Sequence, residues 1–210
     1  MNTPTGIEYQ GLLIQRRARR VRGKTEKALV TFDESLKLLR KAGYQRHLRP
    51  AEAFRFLAEG LEEKLTPEQK TVHDDMLTSH GEWMSLAMER QGDKLITYLD
   101  PEGLVWNRNE YVKERGFKFT EKMIFYIRGK ASQVYLDLNL FDEQLVQYVY
   151  GRAFADFPSE MKKGSNRVHL YLPAEGIVRP VSRDLINDRF NADGFDCRSV
   201  RGVASVGAKK

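Results

Sequence analysis

The most regular alternation of apolar and polar positions lies in "SQVYLDLNLF", where Val134, Leu136, Leu138 and Leu140 interleave with Gln133, Tyr135, Asp137 and Asn139. A repeat of two is what a half-buried antiparallel strand needs. "RVHLYLP" repeats it through Val168, Leu170 and Leu172, which sets His169 on the solvent side. "DKLITYLDPEGLVW" predicts two strands joined by a turn at Asp100-Pro101-Glu102-Gly103. Further strand signal follows from Met123 to Ile127, and "GIVRPV" predicts an edge strand, because Pro180 cannot donate to a ladder.

The first half has helical spacing. Ile7, Ile14, Ala18, Val21 and Ala28 fall on one narrow stripe at about 100° per residue, which predicts a helix over 7–28, weakened by Gly11 and Gly23. Thr31-Phe32-Asp33-Glu34 is a capping box opening a helix over 32–42, stopped at Gly43. Pro50 opens a second helix with Ala53, Phe54, Leu57 and Leu61 inward. Thr66-Pro67-Glu68-Gln69 opens a third, carrying Val72, Met76, Trp83 and Ala87 to Gly92, with Gly81 as a bend. A short helix bearing Leu145, Val146 and Val149 follows Asp142 and stops at Gly151.

The expected fold class is therefore α+β: a helical N-terminal half, then a mainly antiparallel sheet with one short helix. The pattern divides into a basic arm or helix over 1–30, a helical segment over 31–92, and a β-rich segment over 93–181 that shares its core. A loop and flexible basic tail over 182–210 completes it.

Composition changes this picture mainly through charge. Residues 1–49 hold 12 Lys or Arg against 4 Asp or Glu, and residues 50–210 hold 23 against 25. The excess of +8 in the first quarter and the −2 elsewhere together give the net +6. Its densest part is "QRRARRVRGK", with Arg16, Arg17, Arg19, Arg20, Arg22 and Lys24 and no acid between them. A guanidinium is a permanently charged planar fork that meets phosphate oxygens two at a time. Several on one segment can track a nucleic-acid backbone without reading bases. Arg46 and Arg49, flanking His47, are secondary candidates for the same contact. An amphipathic membrane foot would need a broader apolar face than this stripe offers.

Other candidates are weaker. His73, Asp74, Asp75, His80 and Glu82 suggest a metal, but His73 and His80 would stand about 10 Å apart along a helix, too far for one zinc. Glu62-Glu63-Lys64 resembles a fragment of some nuclease sites yet ends a helix. The lone Cys197 excludes an internal disulfide and fits a reducing, intracellular or cytoplasmic setting. "DRFNADGFDCRSVRG" interleaves Arg189, Phe190, Phe195, Arg198 and Arg201, which reads as a surface loop with its phenylalanines anchored. Tyr98, Trp106, Tyr126 and Tyr135 read as packing residues. No phosphate-binding loop or nucleophile elbow is present, and no apolar run reaches the roughly 18 residues of a membrane span.

The expectation is thus a non-enzymatic protein without cofactor or metal, binding DNA or RNA through its arginine-rich segment. The alternative is a structural or assembly protein whose basic arm docks on an acidic protein partner.

Overall fold

A computed structural model of the chain describes residues 4–17, 19–20, 30–78, 81–127, 135–137, 143–151, 154–156, 169–184, 189–191 and 199–206. Strand outweighs helix, and the chain opens with strands, not the expected helix. β1 (Gly6–Tyr9) and β2 (Leu12–Gln15) form a hairpin in which Ile7 faces Ile14. The turn between them has positive φ at both Gln10 (46°) and Gly11 (77°), the backbone that a two-residue hairpin favours. The glycine that weakened the helical reading is thus the turn residue. The seven-residue spacing of Ile7 and Ile14 that fits a helical stripe also fits two positions facing each other across this hairpin. Of the remainder of the expected helix, Arg16 and Arg17 follow β2, Arg19 and Arg20 form β3 (Arg19–Arg20), and residues 18 and 21–28 lie outside the described residues.

Three helices follow sequence expectation at their starts. α1 (Phe32–Lys41) begins at the Thr31–Glu34 capping box and buries Phe32, Ser35, Leu36 and Leu39. β4 (Arg46–His47) leads to α2 (Pro50–Leu61), with proline in its first turn. α3 (Pro67–Thr78) starts at the Thr66–Gln69 pair, whose side chains bond each other's backbone N–H groups. Gly60 lets α3 approach α2: a Cβ there would lie 2.1 Å from the buried His73 ring. Gly60→Ala is accordingly expected to destabilise by about 1–3 kcal/mol, although alanine is the better helix former. Chemical denaturation would show it, and a stability equal to or above that of the parent would contradict the close approach.

α3 does not run on to Gly92. The segment becomes β5 (Glu82–Gln91), whose first seven residues are all buried. Met84, Leu86 and Met88 point into one core cluster and Trp83 and Ala87 into another. A strand covered on both faces loses its alternation, and its Met, Leu and Ala content then resembles a buried helix.

β5 is the centre of an 11-stranded sheet. On one side it pairs with β6 (Lys94–Leu99), which pairs with β9 (Glu121–Tyr126). β7 (Glu102–Asn107) does not pair with β6 across the Asp100–Gly103 turn; it pairs with β8 (Glu110–Lys118). β10 (Tyr135–Asp137) supplies a short piece of the best-patterned strand in the sequence. α4 (Glu143–Tyr150) ends at Gly151, with φ of 72°. β11 (His169–Tyr171) lies between β10 and β13 (Arg189–Asn191).

β12 (Val178–Asp184) is not the expected edge. It lies between β5 and β13, and the ladder with β5 shifts register between Pro180 and Ser182. That irregularity lets a proline occupy an inner strand. Two strands also fall within the expected C-terminal tail: β14 (Ser199–Val200) bridges β5 and β3, and β15 (Gly202–Ser205) lies between β2 and β4 in a second, four-stranded sheet. Residues 6–15 and 202–205 thus share one sheet.

The largest core cluster joins α2, α3 and α4 to one face of the big sheet, through Phe54, Phe56, Val72, Met76, Leu145 and Tyr150 among others. A second lies on the opposite face around Phe32, Trp83, Tyr98 and Tyr111. Among the described residues, no helix is long and apolar enough to cross a membrane.

Candidate nucleic-acid interface

The arginine-rich segment begins where β2 leaves the core. Ile14 is fully buried, and two and three residues later Arg16 and Arg17 are exposed. Arg16 reaches Glu68 at 3.3 Å in a pair open to solvent on both sides. Such a pair contributes little, roughly 0–1 kcal/mol, and is easily exchanged for another anion. Arg19 and Arg20 form β3 and pair through their backbone with Val200 and Ser199. Arg22 and Lys24 lie outside the described residues.

The backbone at the start of the segment is held by a buried side chain. Arg201 donates from Nη1 to the carbonyls of Gln15 (2.7 Å) and Arg16 (3.3 Å). From Nη2 it donates to Asp75 (2.6 Å) and Glu82 (3.1 Å), and from Nε to Glu82 again. Arg183 completes the cluster by donating to Glu82 Oε2 at 3.1 Å and to the Met76 carbonyl at 3.2 Å. The side chains of Glu82 and Arg201 are 1% exposed and that of Arg183 is 2%. Among the described residues the cluster sets two cations against two anions. Burial lowers the Arg183 guanidinium from its ordinary value and the like charge of Arg201 adds to this, against the attraction of Glu82. Burial acts on Arg201 in the same sense, but Glu82 and Asp75 outweigh it and raise it.

The two secondary arginines are engaged elsewhere. Arg46 grips Glu52 with two hydrogen bonds of 2.8 and 2.7 Å, and its Nε lies 3.6 Å from Asp100. Arg49 bonds Asp100 through both Nε and Nη2. Burial alone would raise the Asp100 carboxyl; the bond from Arg49 and the charge of Arg46 outweigh it and hold it below its ordinary value. The hydrogen bond to Asp100 is the main cause that raises Arg49. These arginines tie β4 and α2 to the β6–β7 turn and do not join the Arg16–Arg20 stretch.

His47, between them, is fully buried, with Nε2 2.9 Å from the Ser35 hydroxyl and its ring 5.3 Å from that of Phe32. Burial pushes its imidazole down to about 3. His73 is also buried, its Nδ1 3.1 Å from Asp74. Among the described residues, no group of three or more His, Cys, Asp or Glu side chains is placed to hold a metal. His80 and Cys197 lie outside them.

Sequence reasoning missed the Glu82–Arg183–Arg201–Asp75 cluster. Asp75 and Glu82 stood out only as possible metal ligands, while Arg183 and Arg201 fell in the expected loop and tail. The one available signal was a glutamate heading the long apolar segment "EWMSLAM". A buried carboxylate needs cationic partners, but nothing local says which ones. Comparison with protein-family models, curated proteins and solved structures finds no match for this chain.

Proposed function

We propose that this chain binds nucleic acid through the arginine-rich stretch that continues β2, chiefly by phosphate contacts. Arg16, Arg17, Arg19 and Arg20 carry the contact, with Arg22 and Lys24 of the same run. The observation that carries this reading is the juxtaposition of exposed Arg16 and Arg17 with a backbone clamped by Arg201 and continued by β3. A held segment loses less conformational freedom on binding than a free tail does. The same quarter of the chain carries all the excess positive charge. Arg46 and Arg49 are left out, because their guanidinium groups are already taken by Glu52 and Asp100.

The test is substitution rather than deletion. Removing the first 28 residues would also remove Ile7, Tyr9 and Ile14 from the core. The full chain is expected to bind duplex DNA or RNA with affinity falling about 10²- to 10³-fold between 50 and 200 mM salt, as for roughly five phosphate contacts. Replacing Arg16, Arg17, Arg19 and Arg20 together by Gln should flatten the logarithmic salt slope by about 3 to 4. Absence of binding at low salt to duplex DNA, single-stranded DNA and RNA alike overturns the reading, as does an unchanged slope in the quadruple variant.

A further inference from the structure

Exposed apolar side chains concentrate on β9 and the residues just before it. Seven large apolar residues are exposed among those described, and Phe119, Met123, Ile124 and Tyr126 are four of them. Tyr126 is 60% exposed and Ile124 47%. The expectation that Tyr126 serves internal packing therefore fails. Among the described residues β9 has one strand neighbour, β6, and no strand pairs with its other side.

The register shows what that edge offers. Ile127 donates to the Asp93 carbonyl at 2.6 Å, making these two a hydrogen-bonded pair of the antiparallel ladder. By alternation Phe125, Met123 and Glu121 also bond toward β6, and the N–H and C=O groups of Lys122, Ile124 and Tyr126 face outward. The side chains of those three residues share one face, opposite Tyr98, Ile96 and Lys94 of β6. Met123 and Phe125 share the other. Edge strands are usually guarded by charge, yet Met123 to Tyr126 carries none.

We propose that β9 is a self-association edge: a second copy of this chain adds its own β9, antiparallel, about a two-fold axis at Ile124. In that register the outward-facing residues pair with one another, Ile124 with Ile124 and Lys122 with Tyr126 in both directions. About six inter-strand hydrogen bonds close. Each ammonium comes opposite a tyrosine ring, a favourable cation–π pairing. On the other face Met123 meets Phe125. The pattern is self-complementary, as a two-fold interface must be. Lys122 is already used in this way within the chain, its Nζ 5.9 Å from the Tyr98 ring. A single nucleic-acid strand stacking on this face would leave both Met123 and the edge amides unused. The inference stands independently of the nucleic-acid reading. If both hold, the dimer presents two arginine-rich segments and gains avidity.

Sedimentation velocity on the full chain between about 1 and 100 µM decides it. A monomer–dimer equilibrium that persists in 0.5 M salt is expected, since apolar and backbone contacts are not screened. Ile124→Lys sets two ammonium groups against each other on the axis and should weaken association at least tenfold, with the circular dichroism and Tm of the parent. If that variant unfolds, Tyr126→Lys, which opposes Lys122 of the second copy, carries the same decision. A chain that is monomeric throughout the range overturns the proposal. A dimer unaffected by Ile124→Lys and Tyr126→Lys, both folded, does so equally.

Discussion

Glu82→Gln is expected to cost about 3–5 kcal/mol of stability, as removing the charge of one partner of a buried ion pair does. Glu82 is reached by both Arg183 and Arg201, and all three side chains are almost wholly out of water. Desolvating three charges is expensive, and only close geometry offsets it. An amide keeps the shape but removes the charge. Two buried guanidinium groups then repel each other, with Asp75, 29% exposed and bonded to Arg201, left to compensate. Tm should fall by roughly 6–20 °C for a chain of this length. Arg183→Met should cost less, because it leaves the Glu82–Arg201 contacts in place and removes a like charge. A fall in Tm below about 2 °C for Glu82→Gln, or a larger loss for Arg183→Met, would show that the cluster is not held together by Glu82. The effect reaches the candidate interface, since Arg201 holds the carbonyls of Gln15 and Arg16.

The second large effect is on pH dependence. His47 is fully buried, and its imidazole is pushed down to about 3, against an ordinary value near 6.5. Below about pH 6.5 the unfolded chain takes up a proton that the folded chain refuses until near pH 3. Stability is therefore complete above about 6.5 and falls by about 1.4 kcal/mol per unit below it. That is about 2 kcal/mol lost by pH 5, where most carboxylates are still ionised. Asp100, Glu89 and Glu102, all held below their ordinary values, add their own losses only at lower pH. The charges acting on His47 are Arg46 on its own strand and Glu82 on β5, and the backbone of Arg201, before β15, also bears on it. Folding stability measured by denaturant between pH 5 and 8 should show this slope. His47→Gln, although less stable through loss of the Ser35 contact, should lose it. A slope that survives the substitution assigns the proton uptake to another group.

Much of the helical content was legible. Capping residues are local, so Thr31 with Glu34, Pro50, and Thr66 with Gln69 marked three helix starts at or within a residue of those observed. α4 with its stop at Gly151 was also legible. Strands 6 and 9 could be read from their composition, but not their partners: the Asp100–Gly103 turn joins strands that do not pair with each other. The candidate site was half legible. The run Arg16–Lys24 could be counted, but its mode of attachment could not.

The sequence by itself determined where helices begin, where charge accumulates and how much apolar surface awaits burial. These depend on neighbours within about four residues, or on sums. The tertiary structure alone decided that Glu82–Gln91 is a strand, because only cover on both faces makes a Met- and Leu-rich segment extended. It alone decided that Gly202–Ser205 inserts between β2 and β4, pairings across about 190 and about 155 residues that no local pattern encodes. It also separated Arg201 from Arg17, two like side chains, by placing one among carboxylates in the core and the other in water.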